Sequence, residues 1–221
     1  MTVLKPFGLF CAAVCFAGAA QAATYTIDFE EFSDGDIVSR VDFGAGDFAN
    51  GADVTASGNS SSSPDEARAY NTTNLDGLDP DLDAPFTGPV PNPGNVLVVQ
   101  GPLSTGTPND DGQGGDISFT FDRMVTFLGF DAFDDVDNLT VTGFLDDAFV
   151  ASTSISIGSD NESGQVAGLS WDVDLLIFDF GHASGAIDNL VVDVAPIPLP
   201  AGAPLLLAGL GAFAWLKRKK S

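Results

Sequence analysis

Apolar and polar residues alternate along most of the chain between Thr24 and Val194. In one stretch Ile117, Phe119 and Phe121 are separated by single polar residues, and this period of two is typical of a β-strand with one buried face. No window of a dozen residues has the period of about 3.6 residues that marks an amphipathic helix. Alternation or a short apolar run predicts strands at Thr24 to Phe29, Ile37 to Phe43, Ala67 to Tyr70, Val96 to Gln100, Asp116 to Asp122, Val125 to Phe133, Leu139 to Phe144, Ala148 to Ile157, Asp172 to Ile177 and Ile187 to Val194.

Clusters of Gly, Pro, Asn, Asp and Ser separate these strands and predict turns and loops. Gly58 to Asp65 contains four consecutive serines, and the longer segment Asn71 to Asn95 contains five prolines and no alternation. Many short strands between such turns predict an all-β domain over residues 23–195, an antiparallel β-sandwich of the jelly-roll kind. Phenylalanines on one face of each strand would supply the core between the sheets.

The N-terminus has the order of a secretory signal peptide. Lys5 precedes an apolar run from Phe7 to Ala20, and Ala20 and Ala22 form an A-x-A cleavage site. We expect signal peptidase to remove residues 1–22 after Ala22. Both cysteines of the chain lie within this segment, so the exported domain has no disulfide to stabilise it.

The C-terminus, residues 196–221, predicts a single transmembrane helix. An unbroken apolar run over residues 203–216 is followed at once by four basic residues. A helix of this length covers only about 21 Å of a hydrocarbon core of about 30 Å, so the flanking bases must extend toward the interface. By the positive-inside rule the tail ends in the cytoplasm and the acidic domain lies on the other side of the membrane.

The segment Ile197 to Ser221 resembles the VPLPA-CTERM variant of the PEP-CTERM protein-sorting signal, in which a short motif, an apolar helix and a basic end follow one another. The resemblance implies a Gram-negative source, processing by an exosortase-like membrane protease and an association with extracellular polysaccharide. It assigns recognition by that protease to Pro198, Leu199, Pro200, Ala201 and Gly202. A proline-rich segment of this kind stays extended, which leaves its backbone open to a protease.

The rest of the chain resembles the uncharacterised extracellular domain that often accompanies such a signal. The residues that carry this likeness are Asp79 to Leu82, Asn95 to Gln100, Asn109 to Asp122 and Ser184 to Leu190. The resemblance implies one intact exported domain and supplies no catalytic residue.

The chain carries 31 acids against 8 bases, a net charge of −23. Such a charge repels phosphate backbones, so we exclude nucleic acid as a partner. Five of the bases, Lys5 and those at residues 217–220, lie outside the predicted domain. This leaves Arg40, Arg68 and Arg123 against all 31 acids, a net charge of −28. Self-repulsion of this size favours bound divalent cations.

The long loop carries a candidate calcium site. Asp79, Asp81 and Asp83 alternate in the sequence, and Asp76 precedes them. Calcium takes six to eight oxygen ligands at about 2.4 Å, which these side chains could supply. The alternative is a solvated acidic loop. Similar but smaller clusters lie at Asn109 to Asp111 and Asp134 to Asp137.

A second candidate calcium site uses the first and last strands. In many jelly-roll carbohydrate-binding modules a structural calcium joins these strands through one acid from each, and Glu30 and Asp188 resemble that pair in position. The alternative is that Asp188 caps the turn after Gly185.

No motif predicts catalysis. His182 is the only histidine, no G-x-S-x-G elbow accompanies it, and zinc chemistry lacks ligands. We therefore expect a non-enzymatic, exported structural or adhesive protein of the cell surface or exopolysaccharide matrix, stabilised by calcium. The alternative is a calcium-dependent carbohydrate-binding module in which an exposed Tyr70 stacks on matrix polysaccharide.

Overall fold

The computed structural model describes residues 22–43, 50–74, 79–134 and 139–195. All regular structure in these ranges is β, and every strand pair is antiparallel. The strands are β1 (Ala23–Ile27), β2 (Arg40–Phe43), β3 (Asn50–Gly58), β4 (Ala67–Asn71), β5 (Asn95–Val99), β6 (Gly115–Phe133), β7 (Leu139–Leu145), β8 (Ala148–Ile155), β9 (Ser163–Asp179) and β10 (Ala186–Val194). The all-β antiparallel prediction is confirmed, and the architecture is consistent with a β-sandwich.

Two long strands, β6 and β9, are neighbours in the middle of the strand order. The first part of β6 pairs with β3, and its last part pairs with β10. β9 pairs with β6 along most of its length and with β7 near its end. The β6–β9 register shifts between Thr120 and Val125, which marks the place where the strands bend. The main strand order is β4-β5-β10-β6-β9-β7-β8, and β1 adds to β10.

Phenylalanines on the inner face of β6 and β9 form the centre of the main core. The Phe178 ring lies 5.7 Å from that of Phe119 and 5.1 Å from that of Phe130, both edge to face. All three side chains are at most 2% exposed. A smaller second core lies under the long loop, where Phe86 packs against Phe133 with ring centroids 5.1 Å apart.

The sequence pattern located most strands but missed two segments. β3 has the sequence NGADVTASG, and its small residues give little apolar contrast between the faces. The first half of β9 has one half-buried face and one exposed face, and no fully buried residue lies between Ser163 and Val173, so its sequence shows little apolar contrast. The predicted strands at 116–122 and 125–133 are one continuous strand, β6.

The two ends of the chain lie outside the described residues. This applies to Ala20, to the motif from Pro198 to Gly202 and to the predicted transmembrane helix at 203–216. Ala22 is described and exposed, directly before β1. Within the described ranges no helix has the length and apolar character that crossing a membrane requires.

Candidate metal centre

The last strand, β10, changes partners at Asp188. Before this residue, Ala186 and Ile187 pair with β5; after it, residues from Leu190 onward pair with β1. The end of β1 and the start of β5 therefore meet beside Asp188. On its other side Asp188 pairs in register with Asp131 of β6.

Asp188 is a fully buried carboxylate, with 0% of the residue exposed. Neither of its side-chain oxygens accepts a hydrogen bond of acceptable geometry. Burial raises the pKa of Asp188 to about 9; the Asn189 amide opposes this rise, and the nearby acids Asp131, Asp28 and Glu30 add to it. A buried charge without a partner is strongly unfavourable, so this carboxyl requires either a proton or a cation.

Glu30 and Asn95 complete the junction from the ends of the two neighbouring strands. The Asn95 amide N–H donates to Glu30 Oε1 at 2.7 Å. The Asn95 side-chain amide donates to the carbonyls of Phe29 and Phe32, at 3.3 and 2.8 Å. Both bonds use the side-chain nitrogen of Asn95 and leave its oxygen unbonded. Asn95 Oδ1 is buried with no hydrogen-bond partner.

The backbone around Glu30 leaves room for its carboxylate beside Gly94 and Asn95. Phe29 adopts a positive φ of 52°, which turns the chain sharply after β1. Gly94 has a φ of +86°, and a Cβ at this position would lie 2.0 Å from Glu30 Oε1. Only glycine leaves room for the carboxylate here.

Asp131 adds charge to the junction, but its own oxygens are occupied. Gln165 Nε2 donates to one oxygen at 2.8 Å, and Asn189 Nδ2 donates to the other at 2.9 Å. The oxygens left to bind a cation without losing a hydrogen bond are therefore those of Asp188 and Asn95 Oδ1. Glu30 and Asp28 are exposed, and their charges act on Asp188.

The acids of the long loop form a second cluster, but with different members from those predicted. Carboxylate oxygens of Asp81, Asp134 and Asp160 lie within 4.8 Å of one another. Asp79 is buried beside them, and its Oδ2 accepts a hydrogen bond of 3.0 Å from the Asp110 amide. Burial raises the pKa of both Asp79 and Asp110 above the usual range, and neighbouring acids raise both further.

Of the predicted calcium loop, Asp79 and Asp81 lie together, because the Asp81 side chain hydrogen-bonds with that of Asp79, whereas Asp83 makes a different contact. Asp83 accepts a hydrogen bond of 2.9 Å from the Tyr70 hydroxyl instead, and Asp76 lies outside the described residues. Two further acids that approach Asp81, Asp134 and Asp160, come from distant parts of the chain, and the fold brings them there.

The prediction of Tyr70 as an exposed sugar platform is wrong. Tyr70 is 2% exposed and belongs to the second core. Its hydroxyl donates to the Asp79 carbonyl at 2.9 Å as well as to Asp83. A ring enclosed in this way has no face left for a sugar, and it serves to fix the long loop on the domain.

The sequence pairs Glu30 with Asp188, and the structure brings both to this junction, but the sequence did not indicate Asn95, Asp28 and Asp131 as their neighbours. Asn95 ends the predicted long loop, directly before the predicted strand at residues 96–100, and its position after a Pro-Gly pair was the only signal available. Asp160 was missed in the same way, because nothing in its local sequence points toward Asp81.

Comparisons with known proteins leave the family open. No protein-family model matches the chain, and no curated protein matches it. Among solved structures, a DUF4465 family protein from Bacteroides ovatus matches with a TM-score of 0.37 and 10% sequence identity, over 78% of this chain and 99% of that chain. At this similarity the match does not identify a shared family or function.

Proposed function

We propose that the chain is an exported structural or adhesive protein of the cell surface or exopolysaccharide matrix, whose jelly-roll-like β-sandwich is stabilised by calcium. The observation that carries the proposal is the buried Asp188 carboxylate, whose oxygens have no hydrogen bond of acceptable geometry where β10 meets β1, β5 and β6. A cation bound there would hold the first and last strands of the domain to β5.

The donors at this junction favour calcium over other metals. Asp188, Glu30, Asp28 and Asn95 offer only oxygen, and no sulfur or imidazole ligand lies among them in the described part of the chain. Oxygen ligands suit hard cations, and calcium accepts six to eight of them in irregular arrangements. Magnesium prefers a strict octahedron with several waters, for which a buried carboxylate and a buried amide are less suitable.

A structural role, with no catalysis, is supported by the burial of the site. Asp188 is fully enclosed, and Asn95 is 5% exposed. A substrate needs access to the group that acts on it, whereas a structural ion needs only to be held. Stabilisation by an ion also fits an exported chain without disulfides in its domain.

Calcium binding by the purified chain is the direct test. After treatment with chelator, isothermal titration calorimetry should give one tight calcium site and a much weaker response to magnesium. Asp188→Asn should remove that site. A chain with no calcium-dependent heat, or an Asp188→Asn variant that binds as the original does, would refute the metal assignment.

We also propose export and sorting by signal peptidase and an exosortase-like membrane protease, with support from the sequence of the two ends. Replacing Pro198 and Pro200 by alanine should leave a longer, uncut C-terminus in cells. Pro204→Ala is the matched control, because this proline lies beyond the motif and its loss should leave processing unchanged. Normal processing of the double variant, read by mass spectrometry of the mature C-terminus, would contradict the sorting proposal.

A further inference from the structure

The two ends of the strand order are protected differently. At one end, the edge of β4 is covered by residues 35–38. The Val38 amide donates to the Ala67 carbonyl at 2.9 Å, and the Ala69 amide donates to the Asp36 carbonyl at 3.0 Å. At the other end, β8 pairs with β7 along one side, and no described residue pairs with its other side. The β8 edge thus offers backbone donors and acceptors to solvent.

The exposed edge has two features that favour pairing, although its first part is interrupted. Natural edges are blocked by charge, by proline, by very short strands or by bulges, and the β7–β8 register shift between Gly143 and Phe144 leaves Val150 as a bulge. β8 has eight residues, AFVASTSI, with no charge and no proline. Phe149 is 64% exposed and Val150 is 38% exposed. Beyond the bulge, residues 151–155 pair in regular register, and five residues at about 3.4 Å each give a regular open edge of about 17 Å.

The edge is also uncharged, in a strongly acidic domain. Neither β7 nor β8 contains a charged residue, and the only acids of their hairpin are Asp146 and Asp147 in the turn. Two copies of a domain of charge −28 repel each other over most of their surface. At β8 they can approach without bringing acids together, because antiparallel pairing places the two turns at opposite ends.

We propose that β8 is the surface through which two copies of this chain pair, edge to edge and antiparallel. Backbone hydrogen bonds between the two β8 strands would continue the sheet from one copy into the other. The area buried by two such strands is below that of a standard stable interface. The dimer should therefore depend on protein concentration and strengthen with added salt, which screens the repulsion between the acidic domains.

Sedimentation velocity of the purified chain over a range of concentrations tests this pairing, together with hydrogen exchange of the β8 amides. We expect a monomer that becomes a dimer as concentration or salt rises, with β8 amides protected in the dimer. Val150→Lys and Ser152→Lys each place a charge at the centre of the edge and should abolish the dimer. Thr120→Lys is the matched control, because it adds the same charge to an exposed position on the central strand β6.

Three outcomes would overturn the proposal. One is a chain that stays monomeric at every protein and salt concentration. This outcome includes the case in which the β8 amides become protected only when a different protein is added. Another is a dimer that forms equally well with Ser152→Lys, since it would use another surface. The third is loss of the dimer in Thr120→Lys as well, which would assign the effect to net charge.

Discussion

Replacing Asp188 by asparagine keeps the shape of the side chain and removes its charge. In the absence of divalent cations the folded chain keeps a proton on Asp188, whose pKa burial raises from 3.8 to about 9. The unfolded chain releases that proton at its ordinary pKa. Between pH 3.8 and pH 7 this difference costs the folded state about 4 kcal/mol, at about 1.4 kcal/mol per pH unit.

Asparagine does not titrate, so Asp188→Asn should avoid this cost. In chelator at pH 7 the variant should be more stable than the original chain by up to about 4 kcal/mol. For a domain of this size that corresponds to a melting temperature higher by roughly 8–16 °C. With calcium at about 100 times its dissociation constant, the original chain should gain about 2.7 kcal/mol and the variant almost nothing.

Thermal melts followed by circular dichroism, in chelator and in calcium, measure both effects. Asp147→Asn is the matched control: it makes the same charge change at an exposed turn residue whose φ of 63° suits asparagine. The control should respond to calcium as the original chain does. The predicted role of Asp188 is wrong if Asp188→Asn melts below the original chain in chelator. It is also wrong if calcium raises the melting temperatures of Asp188→Asn and the original chain equally.

Three further predictions rest on the described contacts. In chelator, stability should fall as pH rises from about 5 to 8, because the buried acids of both clusters hold protons when folded and release them when unfolded; a rise in melting temperature over this range would contradict the raised pKa values. Phe178→Ala should cost about 3–5 kcal/mol in urea unfolding, since it removes the ring at the centre of the core, and a loss under about 1 kcal/mol would be inconsistent with that packing. Gly88→Ala should lower the melting temperature, because the φ of Gly88 is +124° and a Cβ there would lie 2.3 Å from the Ser163 carbonyl oxygen. Gly158→Ala is the control and should change the melting temperature little, because a Cβ at Gly158 would meet no atom within 4 Å. Equal effects of the two substitutions would refute the steric explanation.

The strands could be predicted where apolar residues are large and alternate. Phe119 and Phe121 mark β6 without ambiguity, whereas β3 buries Asn50, Gly51, Ala52 and Val54 and carries no such contrast. Burial of a strand depends on what the fold places over it. A strand with small side chains therefore does not show in its own sequence which of its faces is buried.

The candidate site could be predicted only in part. Asp188 and Glu30 follow from their positions at the two ends of the domain, but Asn95 joins them because β5 shares one side of β10 with β1. Strand order is a property of the whole sheet, and it cannot be predicted from a short sequence motif. The same limit explains why Asp83, although it alternates with Asp81, bonds to Tyr70 instead.

The pairing of Ala23 with Val194 places the two ends of the domain side by side. A load applied through the C-terminus would therefore reach β10 first and separate it from β1 one residue pair at a time. Asp188 lies six residues inside that end, at the point where the opening would reach β5. An ion bound there would act as a mechanical stop: β1 and the end of β10 could separate while the rest of the sheet stayed closed.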